Sequence, residues 1–593
     1  MKRRWQLLEA PPDSFLEQHP ELMPIVAHLL YHRNIRTQEQ MDEFLAPDYT
    51  QDVHDPFLFK DMHKAVQRLF QAIEHDEHIT VHGDYDADGV SASAILTDTL
   101  HALGAKNLDV FLPHRETDGY GLNPKTIHFL AEKGTDVIIT CDCGISNHDE
   151  VALANESGID VIITDHHTIP AALPDAYAII HPKIETEPYP DKNLAGGGVA
   201  FKLAQALLRT HRATHETLPN GETHQGFEKW LLDMVAISSV ADMVPLLGES
   251  RTLTRFGLIV LNKTRRIGLQ KLLLEARLLS DDGTSKREID ADTIGFTIAP
   301  RINAAGRLNH ANVAYQLLTT TDPEQAAELA FQLDQNNKDR QQMVDRCVTQ
   351  AQKQAEEQKD SPILFLLDPS WNMGIVGLIA SRVKERHQKP TIAMTEREGA
   401  ISGSGRSIEG FNMIHGLQQM PDLFSKFGGH PMACGFTLAS PASKEKFIQQ
   451  LVDLYTHTVE PEMTIPTIAI DTEVNLEEIN WELYDLLEKF KPFGQANPKP
   501  KYMAKNLTVV KTEAVGKNGK HLRLLVKHNT HVVRKTIGWR LCGDETDNKK
   551  NWATLLQPGD KIDMVFEVEV NQWNGNRELQ LTIIDLHKSE TTL

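Results

Sequence analysis

Residues 79–90 read ITVHGDYDADGV. The first residues form a short β-branched run, the composition of a strand. Asp84, Asp86 and Asp88 then alternate with other residues, and Gly89 follows. This resembles the D-x-D-x-D-G opening of an EF-hand. In a loop that begins at Asp84, however, position 12 is Ile95, where a bidentate Glu is required. An EF-hand loop also lies between two helices, not behind a strand. A solvated acidic turn and a different metal site remain, and His82, a fourth potential ligand just before the acids, weighs against the turn.

The neighbouring sequence repeats the pattern. ITVHG, DVFLP, DVIITCDCG, DVIITDHH and AYAIIHP are Val- and Ile-rich runs separated by helix-like stretches such as SASAILTDTLHALGA. This βαβ alternation predicts a parallel sheet covered by helices. Open sheets of this kind carry their sites at the carboxyl ends of the strands. His82 to Asp88, Arg115, Asp142 and Asp165 to His167 all fall there.

Beyond residue 198 the apolar spacing is helical to about residue 320. Pro323 opens a long polar helix whose thin apolar stripe predicts a span between domains. A second α/β unit starts near 361 with PILFLLD, and from about 465 β-rich runs alternate with Gly turns, predicting a small barrel or sandwich. The expected division is therefore an N-terminal helical segment (1–50), a parallel-sheet domain (51–322), a connecting helix (323–360), a smaller α/β domain (361–460) and a β-barrel domain (461–593).

A chain of 593 residues implies several domains. No apolar run has the roughly 20 residues of a membrane helix, the N-terminus has no secretory h-region, and five cysteines do not make a disulfide framework. A reduced cytoplasm is the expected location. A net charge of −21 opposes phosphate binding overall. Residues 501–540 nevertheless carry ten Lys or Arg and one acid, Glu513. Such a run is either a solvated face or a nucleic-acid surface.

His82, Asp84, Asp86, Asp88, Asp142, Asp165, His166, His167 and Asp242 together deliver many acids to one sheet edge. They would repel one another without a cation. Mixed Asp and His donors suit Mn²⁺ better than Ca²⁺ and leave Mg²⁺ open. There are enough ligands for two ions sharing one carboxylate, the arrangement that clamps a phosphoryl group. Cys141 and Cys143 lack the spacing of a zinc site and read as packing residues. The run AGGGVAFKLAQAL reads as a tight turn near the metals in preference to a phosphate cradle, having neither a Walker Lys nor G-x-G-x-x-G spacing.

HGDYDADG, CDCG, DHH and VADMVPL resemble motifs I to IV of the DHH phosphoesterase superfamily, GSGRS and GGHPMACGFTL its companion DHHA1 domain, and KPFGQANPKP with the β-rich tail the OB domain of the RecJ family. The resemblance covers nearly the whole chain. It implies a 5′→3′ exonuclease that hydrolyses single-stranded DNA with two divalent metal ions, Mn²⁺ or Mg²⁺. It assigns His82, Asp86 and Asp142 to one ion and Asp88, Asp142, His166 and Asp242 to the other. Asp84 becomes a supporting residue, Asp165 an orienting partner, and His167 a contact to the scissile phosphate or its leaving group. Ser404 and Arg406, expected in a flexible loop, and Arg115 become a 5′-phosphate pocket. Gly428, Gly429 and His430 become a substrate-facing loop. Arg301, Asn303 and Arg307 are either DNA-backbone contacts or helix-surface groups. Trp539, Trp552 and Trp573 are either base-stacking or core residues. The resemblance further implies a role in DNA repair and recombination, a monomer, no membrane, and single-strand-binding protein and a helicase as partners. Two rival readings remain, a phosphodiesterase for oligoribonucleotides or other small phosphates and an inactive nucleic-acid-binding scaffold. The basic tail opposes the first, and the intact ligand set opposes the second.

Overall fold

The structure, a computed structural model, describes residues 3–280, 282–528, 531–543, 550–573 and 576–589. The chain forms two units, one of Tyr49–Pro466 and one of Met1–Asp48 with Thr467–Leu593.

The larger unit opens on strands β1 (Ile79–Gly83), β2 (Leu108–Phe111), β3 (Val137–Cys141), β4 (Asp160–Thr164) and β5 (Ala178–Ile180). They form one sheet in the order β2-β1-β3-β4-β5, parallel throughout. β1 and β3 are buried at every position, as a sheet covered on both faces requires, so their sequences are continuous apolar runs. The order puts the topological switch point between β1 and β3. Gly83 pairs with Cys141, and Cys141 with Thr164. Three strands therefore end level, and the residues that follow them are Asp84, Asp142 and Asp165.

Helices α1 (Ala87–Ala102), α2 (Gly196–Arg212), α3 (Leu232–Ala241) and α4 (Ala299–Leu308) surround that edge. α1 is buried almost all round; its small residues Ala87, Gly89, Ala92 and Ala94 admit close helix neighbours. The 35-residue α5 (Pro323–Glu357) follows, a span of about 52 Å at 1.5 Å per residue. Its thin stripe is not left outside a core, as the sequence had implied. Leu329, Ala330 and Leu333 join the core of the parallel-sheet region. Val344, Cys347, Ala351 and Ala355 pack with Leu364, Leu366 and Ile375 in another core. A narrow stripe suffices because much of it is alanine.

The second sheet contains β6 (Leu364–Leu367), β7 (Thr391–Arg397), β8 (Ala400–Arg406), β9 (Phe424–His430) and β10 (Ala433–Leu438), with α6 (Met373–His387) packed on it. Its order is β9-β10-β8-β7-β6. The segment SGSGR (402–406) is thus not a flexible loop; it belongs to the central strand β8, paired with β7 and β10. The glycines misled the sequence reading. A Cβ on Gly403 would lie 2.8 Å from Met394 and Phe436, and one on Gly405 2.8 Å from Cys434 Sγ. These glycines serve close packing on one face, and the alternating Ser402, Ser404 and Arg406 occupy the other.

In the smaller unit, Arg4–Leu7 pairs in parallel with Thr467–Ile470. Three short helices lie between Asp13 and Leu45. Strands β11 (Tyr502–Val515), β12 (His521–Lys527), β13 (Val533–Gly538), β14 (Lys561–Trp573) and β15 (Asn576–Lys588) run in the order β11-β12-β13-β15-β14. β11 also pairs with β14, which closes a five-stranded barrel of OB type. Leu524, Val526, Phe566 and Leu581 are among its buried residues.

Gly405→Val is expected to destabilise the larger unit by about 1–3 kcal/mol through overpacking. Gly428→Ala, where an added Cβ meets nothing within 4 Å, is expected to change stability by less than about 0.5 kcal/mol. Urea unfolding followed by circular dichroism distinguishes them, and equal midpoints would contradict this account of β8.

Candidate metal centre and phosphate pocket

The level strand ends supply the first ligands. Asp84 follows β1 and is 4% exposed. Asp86 caps α1, accepting from the amides of Asp88 (2.9 Å) and Gly89 (3.2 Å). Asp142 sits just beyond β3 with φ +62°, a left-handed conformation that Asp tolerates better than bulkier residues. Asp242 lies at the C-terminus of α3.

Asp88, in the first turn of α1, is held most tightly. Its carboxylate accepts from Gly196 N–H (2.8 Å), Gly197 N–H (2.7 Å) and Ser238 Oγ (2.6 Å). The glycine run thus turns its helix N-terminus toward a protein carboxylate, in keeping with a tight turn. A Cβ on Gly196 would stand 2.6 Å from Asp142 Cβ, so no larger residue fits without displacing Asp142.

The DHH triplet completes the edge. His166 Nε2 lies 3.0 Å from Asp142 Oδ1 and 3.6 Å from both Asp88 Oδ2 and Asp242 Oδ2. Asp165 Oδ1 accepts from the amides of His166 (2.6 Å) and His167 (3.1 Å), and stands 2.7 Å from His167 Nδ1. The imidazole oriented by Asp165 is therefore that of His167.

Among the described residues, three groups bring donor atoms within 4.8 Å of one another: Asp84–Asp86–Asp142, Asp88–His166–Asp242 and Asp142–His166–His167. Asp142 and His166 each belong to two of them. Asp84, expected in a supporting role, belongs to one of these groups. His82, expected as a ligand, is outside these groups, fully buried at the end of β1 with its ring stacked on Phe111 at 5.3 Å.

The electrostatics of this edge call for cations. Burial first, and then the charge of Asp86, push Asp84 well above the usual carboxylate range. Burial and then Asp88, Asp86, Asp84 and Asp242 do the same to Asp142. Burial with Asp88 and Asp86 raises Asp242 to about 8. Burial and then Asp86 raise Asp88 to about 6, despite its three donors. Burial and then His167 hold His166 well below the ordinary imidazole value, which leaves its ring neutral. Burial would lower His167 too, but the Asp165 hydrogen bond outweighs it and raises His167 to about 9. Asp84 Oδ1, His82 Nε2 and His166 Nδ1 are buried without a hydrogen-bond partner. Oxygen and imidazole donors, crowded and incompletely satisfied, fit divalent ions of the Mn²⁺ or Mg²⁺ class. Cys141 and Cys143 are free and buried; burial pushes the Cys141 thiol up to about 12, which favours a packing role over metal binding.

A basic pocket accompanies these acids in the same unit. Arg115 stacks over Tyr85 at 4.0 Å, and its Nε is buried without a partner. Arg406 donates to Ser404 Oγ (2.7 Å) and to Gly405 O (2.8 Å). Its guanidinium rests on Gly377 of α6, where a Cβ would come within 2.6 Å of Nη2. Arg307, lowered to about 10 by burial and then by Arg115 and Arg340, donates to Gly374 O (2.9 Å). Arg301 and Asn303 are committed elsewhere. Arg301 pairs with Asp334 at 2.9 Å, and Asn303 Oδ1 accepts from Ala87 N–H (2.7 Å) at the start of α1. Gly428, Gly429 and His430 lie on the exposed hairpin β9–β10. In the smaller unit Trp539 is 58% exposed and packs edge-on to His521, Trp552 is half-buried, and the Trp573 side chain lies outside the described residues.

Three participants escaped the sequence reading. Tyr120 OH donates to Asp142 O (3.0 Å) and lies 3.0 Å from His167 Nδ1. Lys183 donates to His166 O. Ser238 binds Asp88. Only Ser238 left a signal, standing one helical turn before Asp242 on the same face of α3.

A parallel sheet with this switch point, acidic edge and neighbouring arginines defines a phosphoesterase of the DHH class. The DHH family N-terminal domain matches residues 78–238, the DHHA1 domain residues 360–456 and the RecJ OB domain residues 470–585. The single-stranded-DNA-specific exonuclease RecJ of Bacillus subtilis is 36% identical over 599 residues, covering 100% of this chain and 72% of that protein. RecJ of Escherichia coli is 32% identical over 604 residues, covering 98% of this chain and 99% of that protein. The crystal structure of Thermus thermophilus RecJ in complex with Mn²⁺ matches with a TM-score of 0.79 at 28% identity, covering 99% of this chain and 80% of that one. The chain belongs to the RecJ family.

Because Asp142 and His166 each enter two donor groups, Asp142→Ala is expected to weaken Mn²⁺ binding at least tenfold and reduce the stoichiometry. Asp84→Ala, which touches one group, is expected to leave a measurable site. Calorimetric Mn²⁺ titration reads both, and wild-type stoichiometry in Asp142→Ala would contradict the shared carboxylate.

Proposed function

We propose that this protein is a single-strand-specific DNA exonuclease that hydrolyses phosphodiesters from the 5′ end. The observation that carries this reading is the adjacency, within one unit, of an acidic edge fit for divalent ions and an arginine pocket fit for a phosphate. Asp84, Asp86, Asp88, Asp142, His166 and Asp242 would hold the ions, with His82 beside them. Divalent ions there supply the Lewis acid that activates water and neutralises charge on the phosphoryl group.

The protein's own groups do the rest. Ser238 and the Gly196 and Gly197 amides fix Asp88, so its oxygens keep their direction as the ligand set closes. Asp165 holds His167 by Nδ1, and the raised imidazole presents a protonated ring beside Asp142. That ring stabilises a phosphate oxygen or passes a proton to the departing 3′-oxygen. Arg406, locked on Ser404 and Gly377, with Arg115 gives a planar, always-charged grip for a terminal phosphate, which carries more charge than an internal diester. The closed barrel, with exposed Trp539 and the basic residues of 501–540, supplies a surface for unpaired strands. Arg301 and Asn303, bound within the protein, are helix-positioning groups in this reading. The division at 51–322, 323–360, 361–460 and 461–593 then assigns chemistry with Arg115 to the first part, connection to the second, the Arg406 side of end capture to the third and strand holding to the fourth.

Family membership carries the wider reading of a cytoplasmic monomer acting in DNA repair and recombination beside single-strand-binding protein and a helicase. The small-phosphate reading is the weaker one, because a closed barrel with a basic tract has no use on a dinucleotide.

Digestion of one oligonucleotide labelled at either end, with a 5′-phosphate or a 5′-hydroxyl, tests polarity and end capture together. Label at the 5′ end is expected to be released first. Arg406→Ala is expected to lose most of the preference for 5′-phosphate while retaining basal cleavage. Initial release of the 3′ label overturns the polarity, and an unchanged preference ratio in the variant overturns the pocket.

A further inference from the structure

A group of histidines lies at the end of α2 remote from Asp88. The Gly196 and Gly197 amides at the helix start meet Asp88. His211 stands in the last turn, about 22 Å along the axis at 1.5 Å per residue. His215 follows the helix end, and His224 opens the next helix, His224–Trp230. His211 Nδ1 and His224 Nε2 face one another at 2.8 Å, with ring centroids 5.1 Å apart. The His215 ring lies flat on that of His211, 4.1 Å away at an interplanar angle of 10°. His215 Nδ1 is 2.9 Å from Thr214 Oγ1, which leaves Nε2 as its outward donor.

We propose that His211, His215 and His224 form a second metal site, separate from the acidic centre, for a transition metal of the Zn²⁺, Ni²⁺ or Cu²⁺ class. Two facing ring nitrogens share one proton; on metal binding that proton moves to the other nitrogen of its own ring, so both imidazoles stay neutral and both facing lone pairs reach the ion. Imidazole nitrogens bind Zn²⁺ at about 2.0–2.1 Å, so two of them on a tetrahedral ion stand roughly 3.3 Å apart, a small opening from the observed contact. Rotation of the exposed His215 ring out of its stack supplies the third nitrogen. His224 is 3% exposed and its Nδ1 has no hydrogen-bond partner, so packing and the His211 contact hold this ring with its Nε2 aimed at the shared position.

The surroundings disfavour protonated rings. A ligand imidazole must be neutral. Burial, then His215 and His224, hold His211 below the ordinary value. Burial, then Arg212 and His215, do so for His224. The C-terminus of α2 contributes the negative end of the helix dipole. Three imidazoles without a carboxylate bind Zn²⁺, Ni²⁺ or Cu²⁺ in preference to Mg²⁺ or Mn²⁺, so this site and the acidic edge select different ions. An occupied site would tie the end of α2, whose start positions Asp88, to the segment that follows it.

Calorimetric titration of the full chain with Zn²⁺, in millimolar Mn²⁺ to fill the acidic centre, tests this. One equivalent of Zn²⁺ is expected to bind at micromolar concentration or tighter, and Co²⁺ in its place is expected to give visible tetrahedral absorption. His211→Gln and His215→Gln are each expected to weaken binding tenfold or more, with Mn²⁺-dependent nuclease activity measured without Zn²⁺ unchanged. His215 is exposed, so its variant serves even where His211→Gln fails to fold. Absence of Mn²⁺-resistant Zn²⁺ binding in the wild type, or undiminished binding in His215→Gln, overturns the site and leaves a hydrogen bond at a helix end.

Discussion

Mutual repulsion among buried carboxylates is the constraint on which the larger unit depends. The register that ends β1, β3 and β4 at one level puts Asp84, Asp142 and Asp165 side by side. α1 and α3 add Asp86, Asp88 and Asp242. At an effective dielectric of about 20, two such charges 4 Å apart repel by about 4 kcal/mol. No sequence gathers so many in a buried edge for stability alone.

The protein relieves part of this repulsion with its own dipoles. α1 and α2 both direct their N-termini at the acids, the first through the Asp86 cap and the second through Gly196 and Gly197. Aligned peptide dipoles place roughly half a positive charge at each helix start. Asp165 is treated separately. Burial would raise it, but the His167 hydrogen bond and the Ile145 amide hold it below the usual carboxylate range. One carboxylate is thereby spent on orienting an imidazole, and Asp84, Asp88, Asp142 and Asp242 keep raised affinities for protons. What these others compete for, in place of protons, is divalent cations.

The parallel sheet was legible because each of its strands is a continuous Val- and Ile-rich run bounded by helix-like sequence, and the acids fall where such runs stop. The motif residues of the acidic edge were legible for the same reason, together with the family resemblance. Other features were not. SGSGR reads as a loop from composition, yet its glycines pack under Met394, Phe436 and Cys434, contacts remote in sequence or set by pairing. Which of Asp84 and His82 has a donor atom within 4.8 Å of the other acids is set by side-chain placement at a strand end, which spacing does not encode. Tyr120 and Lys183 reach the centre from loops without a motif. The pairing of Arg4–Leu7 with Thr467–Ile470 joins segments far apart in the chain, and local pattern carries no trace of it.

The central claim is that the acidic edge is incomplete without cations, and thermal unfolding of the full chain across an Mn²⁺ series against an EDTA reference tests it most directly. A ligand that binds only the folded state adds about 2.7 kcal/mol at a hundred times its dissociation constant. The account predicts a melting temperature for the larger unit that keeps rising with the logarithm of Mn²⁺ concentration beyond saturation. Identical melting in EDTA and in saturating Mn²⁺ would contradict it.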